Sequence, residues 1–206
     1  LIKQVIESWA ARRDVAAGHQ LLRSLVLKYA DAEKNLYRLN RELVDRQRRL
    51  DEDLAAAAEI QSSLLPQDTS AFEQLEIAWA FEPSTHIAGD IFNVIRLDAS
   101  CFAAYALDVS GHGVPAAMVA VSVCQNLQPG SALIRTPDRM STSGHSPRSP
   151  AEVLRALDLE YPFERFSNFF TIVYLLIDTA AGTLTCGNAG HPQPVILRNG
   201  GALQRL

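Results

Sequence analysis

Apolar residues recur along this chain at two different periods. From Leu22 a seven-residue repeat runs through Tyr29, Leu36, Leu43, Leu50, Ala57 and Leu64, with Leu25, Ala32, Leu39 and Ile60 three positions further on. Such a seam predicts a long helix that seeks a partner helix in water, weakened in the middle where Arg46 and Asp53 interrupt its second line. The alternative is one amphipathic helix folded back on its own domain, but a helix this long finds little surface on a small domain. Gly18 lowers helix propensity and is expected to separate the seam from the apolar positions Ile2, Val5, Ile6 and Trp9. Pro66 is expected to end the helix, because it lacks an N–H donor and disfavours helical geometry in the residue before it.

Beyond Pro66 the period shortens. Leu75, Ile77, Trp79 and Phe81 alternate and predict a strand. Runs 91–97 and 101–107 predict two more, joined by Asp98-Ala99-Ser100 as a hairpin connection. Residues 114–127 are small, apolar and long enough for a helix, with Pro115 acceptable in its first turn. The Pro-, Gly-, Ser- and Thr-rich stretch 128–149 predicts a loop. Ser149-Pro150-Ala151-Glu152 fits a capping box that opens a helix to about residue 160. Strands are expected over 169–177, 183–187 and 194–197, with turns at 179–182 and 199–201. Hairpins with inserted helices indicate an α+β layered domain.

Composition changes this picture little. The chain has 206 residues, 48% of them hydrophobic and 20% charged, which suits a globular core. No apolar run is long enough to span a membrane. Cys101, Cys124 and Cys186 are widely spaced and odd in number, as in a reduced cytoplasmic protein and unlike a secreted disulfide framework. Residues 1–60 hold 11 Lys/Arg against 10 Asp/Glu, whereas residues 61–206 hold 8 against 13, with no lysine. That acidic second part argues against nucleic-acid binding, which needs a basic footprint. The first residue is Leu1, and the chain is expected to be a piece of a longer protein.

The candidate chemistry lies in Ala88-Gly89-Asp90 and Asp108-Val109-Ser110-Gly111-His112-Gly113. Asp90 precedes the outgoing strand of the predicted hairpin and Asp108 ends the returning one, so the carboxylates meet at one end of the sheet. Two carboxylates brought together without a basic partner repel each other, and a divalent cation relieves that repulsion. Aspartates also flank turns for purely local reasons, so the pair by itself leaves metal binding open.

Glu59-Ile60-Gln61, Leu64-Leu65-Pro66, Ala88-Gly89-Asp90, the run from Asp108 to Met118 and Asn188-Ala189-Gly190-His191-Pro192 follow in one order. This resembles the PPM superfamily of metal-dependent protein phosphatases, in its stage II sporulation protein E and RsbU-like branch. The resemblance covers about residues 59–206. It implies an α-β-β-α sandwich with a two-metal site, Mn²⁺ or Mg²⁺, between the sheets. It also implies hydrolysis of phosphoserine or phosphothreonine, typically on an anti-sigma-factor antagonist. Carried over by position, Asp90 and Asp108 are metal-bridging carboxylates and the Val109 backbone carbonyl is a further ligand. On that resemblance two such ions would make hydroxide available near neutral pH, and no phosphoenzyme would be needed.

On this basis residues 1–20 are expected to be the tail of an upstream sensor or receiver domain, 21–66 a helical coiled-coil linker dimerising through helix 22–64, and 67–206 a phosphatase domain without its C-terminal part. The family's later aspartate ligands are expected beyond Leu206. Ala88 and Asn93 stand where the family commonly has a glycine and often an acid. His112 is a candidate general acid, with loop positioning or substrate contact as alternatives. His191 is expected to shape a turn, and His19, His86 and His145 show no ligand spacing. Two other functions compete: a non-catalytic phosphatase-like signalling scaffold, which further strand-end aspartates would argue against, and a dimerisation module acting through the linker alone.

Overall fold

The computed structural model describes residues 2–66, 75–82, 87–139 and 144–206. Two compact units are present, Leu1–Glu52 and Asp53–Leu206. His86 lies outside the described residues, as do the side chains of Ile6 and Trp9.

The described residues of the first unit are all helical, part of α1 (Ile2–Ser63). The helix passes through Gly18 without a break, contrary to the expected separation there. A Cβ at this position would touch nothing, so the glycine carries only its propensity cost of about 1 kcal/mol, which a long cooperative helix absorbs. The seam residues Leu22, Tyr29, Leu36, Leu43 and Leu50 are all more than half exposed on the single chain.

The second unit is built on a four-stranded antiparallel sheet in the order β1 (Ile91–Arg96), β2 (Cys101–Val109), β5 (Phe170–Asp178), β6 (Thr183–Ala189). The Asp98 carboxylate closes the β1–β2 hairpin by accepting from the Ser100 and Cys101 amides at 2.9 and 2.7 Å. Alternation divides each strand between two faces. Ile91, Ile95, Cys101, Ala103, Tyr105, Leu107, Val109, Ile172 and Tyr174 form the core with α2 (Val114–Asn126) and α3 (Pro150–Glu160). Pro115 sits in the first turn of α2, and Ser149 and Glu152 make the expected capping box on α3. Helix α3 lies close on β6 at Gly187, where a Cβ would come within 2.8 Å of the Pro150 Cβ.

On the opposite face, Phe92, Val94, Ala104, Ala106, Val173 and Leu175 line a groove with residues 77–80. That segment was expected to be a strand, but residues 75–82 form no ladder. Its alternation instead seats Trp79 and Phe81 against the Phe92 ring, with centroids 6.0 and 6.1 Å away. The expected loop 128–149 contains a short hairpin, β3 (Arg135–Pro137) and β4 (His145–Pro147), anchored by fully buried Ile134. Prolines are tolerated there because both strands are edges. A short helix, α4 (Phe163–Phe166), and a final hairpin, β7 (Val195–Leu197) with β8 (Leu203–Arg205), complete the described elements. No helix among the described residues is long and apolar enough to cross a membrane.

Candidate active site

Strand register decides which side chains meet. Ile91 pairs with Leu107, so Asp90 and Asp108 are cross-strand neighbours one step beyond, and Asp108 pairs in turn with Thr171 of β5. Asp90 shares the parity of Phe92 and Val94, and Asp108 that of Ala104 and Ala106. The two carboxylates therefore lie on the face turned away from α2 and α3.

Both aspartates are exposed, and their carboxyls stand close enough to act on one another. Partial burial, then the charge of Asp108 and the hydrogen bond to it, raise the Asp90 pKa above its ordinary value, while His191 pulls it down. Among the described residues no lysine or arginine enters this balance. A pair that is short of positive charge, made of hard oxygen donors and open to solvent, fits a divalent cation of the Mg²⁺ or Mn²⁺ type. Among the described residues no group of three or more His, Cys, Asp or Glu side chains has the spacing to hold a metal ion. The acidic side chains brought together here are thus two, and the Val109 carbonyl expected as a further ligand follows Asp108 directly in the chain.

The surroundings of that carbonyl are tight. The Val109 N–H donates to the Gly89 carbonyl at 3.3 Å. A Cβ on residue 89 would lie 3.0 Å from the Val109 oxygen and 3.3 Å from the Ala116 Cβ. Glycine is needed at 89 for close approach. At Ala88 no positive φ is required, and its methyl is buried without opening the turn. Asn93 donates to the Leu64 carbonyl at 3.2 Å and accepts from the Val94 amide at 2.8 Å, so its side chain ties β1 to the end of α1.

The loop after Asp108 is held from the residues just before β5. The Ser110 backbone N–H donates to the Phe169 carbonyl at 2.8 Å, the Phe169 backbone N–H donates to the Ser110 hydroxyl at 3.0 Å, and the Asn168 side-chain Nδ2 donates to the Ser110 carbonyl at 2.6 Å. His112 stands exposed between Gly111 and Gly113, whose φ values of 90° and 74° give the loop its bends. The groups that act on the Asp90 carboxyl are Asp108 and His191, and His112 is not among them.

His191 shapes a turn, as expected: its backbone N–H donates to Asn188 and its carbonyl accepts from the same side chain, both at 2.9 Å. The turn also brings the imidazole to the site. Nδ1 lies 2.9 Å from the Thr171 hydroxyl, and the ring acts on Asp90. Asp90, Asp108, Thr171 and His191 thus form a polar row across β1, β2, β5 and the end of β6. Sequence reading missed Thr171 and the imidazole's reach, because the signal is a register relation between distant strands.

Residues 98–206 match the family described as Stage II sporulation protein E (SpoIIE). The chain belongs to the SpoIIE family. It is 28% identical over 159 residues to the phosphoserine phosphatase RsbP of Bacillus subtilis (strain 168), a match covering 75% of this chain and 36% of the relative. The chain therefore spans about a third of that relative's length. Its fold is similar to the SiaA-PP2C domain of Pseudomonas aeruginosa, with a TM-score of 0.56 and 22% identity over 78% of this chain and 61% of the other. The α+β sandwich of the PPM type expected for this SpoIIE-family chain agrees with that neighbour.

Proposed function

We propose that this chain carries part of a regulated phosphoprotein phosphatase, acting on phosphoserine or phosphothreonine of an anti-sigma-factor antagonist in the cytoplasm. The closeness of Asp90 to Asp108 carries the reading, since among the described residues no lysine or arginine acts on the Asp90 carboxyl there. Family membership and the resemblance to RsbP support the reaction class. Asp90, Asp108 and the Val109 carbonyl would hold Mn²⁺ or Mg²⁺, two ions in the family pattern, supplying charge for the phosphoryl oxygens and activation of an attacking water. Thr171 fixes the His191 ring beside Asp90, and Ser110 with Asn168 fixes the loop that carries Asp108. His112 is an exposed proton donor candidate for the leaving hydroxyl. The test is hydrolysis of a phosphoserine protein by the full-length protein with Mn²⁺. Asp90→Ala and Asp108→Ala should each remove nearly all activity at an unchanged fold. Retention of substantial activity by both would leave a non-catalytic scaffold as the better reading.

Helix 22–64 would pair with its counterpart in a parallel homodimer and transmit the state of an upstream sensor or receiver domain. The exposed seam of leucines supports this, and charged Arg46 and Asp53 make such a seam adjustable. Replacing both with leucine should tighten the dimer and shift activity in one direction. Tighter dimers with unchanged activity would reduce the helix to a tether.

A further inference from the structure

Gln61 is a buried polar side chain, 3% exposed, in the last turn of α1. Its Nε2 donates to the Ala88 carbonyl at 2.7 Å and its Oε1 accepts from the Ala88 amide at 3.0 Å. The carboxamide therefore pairs with both groups of one peptide residue, as a neighbouring strand would. Glutamate has this length but lacks the donor, asparagine falls short, and methionine fills the space with neither group. Burying an amide is unfavourable unless both ends are bonded, and here both are.

The residue held in this way lies two positions before Asp90. Between them Gly89 accepts the Val109 N–H, so the Ala88–Gly89 backbone is fixed on one side by α1 and on the other by the strand bearing Asp108. Leu64, three residues after Gln61, accepts from Asn93 in β1, and Leu65 is buried in the core. The end of α1 is thereby fastened on both sides of Asp90.

We infer that Gln61 is a positioning residue: its clamp on Ala88 sets the approach of Asp90 to Asp108 and hence the affinity of the pair for a divalent cation. This rests on the reading of that pair as a cation site. It makes the last turn of α1 a direct part of the site's support, with no intermediary helix.

The experiment measures Mn²⁺ affinity by calorimetry and metal-free melting temperature in the full-length protein. Wild type is compared with Gln61→Met, with Gln61→Glu and with Leu65→Ala, which removes core packing at the same end of α1 while leaving the Gln61 carboxamide in place. The isosteric Gln61→Glu guards against a Gln61→Met protein that does not fold. Both Gln61 variants should weaken Mn²⁺ binding about tenfold or more, in the range typical of lost outer-shell support. Leu65→Ala should lower the melting temperature at least as far while leaving affinity nearly unchanged. Gln61 variants that melt lower yet bind Mn²⁺ like wild type would overturn the inference and leave Gln61 a structural cap. Asp90→Asn is the control: if it binds Mn²⁺ as tightly as wild type, the cation site itself is misplaced and the inference falls with it.

Discussion

Replacing Gly89 with alanine tests the close approach at the centre of the site. The new Cβ would sit 3.0 Å from the Val109 carbonyl oxygen, 3.3 Å from the Ala116 Cβ and 3.5 Å from the Val109 Cβ. Both contacts are tighter than ordinary van der Waals contact, so the Val109 carbonyl or the start of α2 must give by a few tenths of an ångström. Helix α2 cannot easily retreat, because its own Ala116, Ala120, Val123 and Cys124 are fully buried in the core. The strain falls on Val109 and on its 3.3 Å hydrogen bond to Gly89. Overpacking of this kind costs about 1–3 kcal/mol, and a domain of this size loses about 2–4 °C in melting temperature per kcal/mol. Metal sites tolerate ligand displacements of only about 0.2 Å, so a shifted Val109 carbonyl should also weaken cation binding. Differential scanning calorimetry with and without Mn²⁺ reads both effects. Gly89→Ala should melt several degrees lower without metal and gain less from Mn²⁺ than wild type. A variant with an unchanged melting temperature and the full Mn²⁺ increment would refute the packing argument and the role given to Val109.

Other consequences are simpler to state. Asp90 holds its proton above its ordinary 3.8 in the folded protein, so the native state binds more protons than the unfolded one in that window. Metal-free stability should therefore fall as pH rises from about 4 through the folded Asp90 value. Asp90→Asn should flatten that decline, and an unaltered pH profile from chemical denaturation would contradict the charge pairing. Gly187→Ala places a Cβ 2.8 and 2.9 Å from Pro150 and Leu154 and should lower stability by about 1–3 kcal/mol in urea unfolding. Thr171→Val removes the hydroxyl that holds His191. It should reduce phosphatase turnover more than it reduces stability, and an equal loss of both would make Thr171 merely structural.

Local signals carried much of the fold. The β1–β2 hairpin, α2 with its early proline and α3 with its capping box were legible because each depends on residues within a few positions of one another. The Asp90–Asp108 meeting was legible for the same reason, since a short hairpin fixes its own register. Strand 75–81 was misjudged because alternation reports a buried face, not a ladder partner. The β3–β4 hairpin was hidden by prolines, which edge strands accept. The clamp of Gln61 on Ala88 and the contact of Thr171 with His191 join residues 27 and 20 positions apart. Neither has a periodicity to reveal it. The motif that carries the family resemblance marked both Gln61 and His191 without saying what they touch.

The central claim is that Asp90 and Asp108 together form a divalent-cation site. Titrating full-length wild type, Asp90→Ala and Asp108→Ala with Mn²⁺ by calorimetry tests it most directly. Binding should be measurable in wild type, competed by Mg²⁺ and abolished in each variant at a metal-free melting temperature no lower than that of wild type. Mn²⁺ binding that survives either substitution at wild-type affinity would contradict the account.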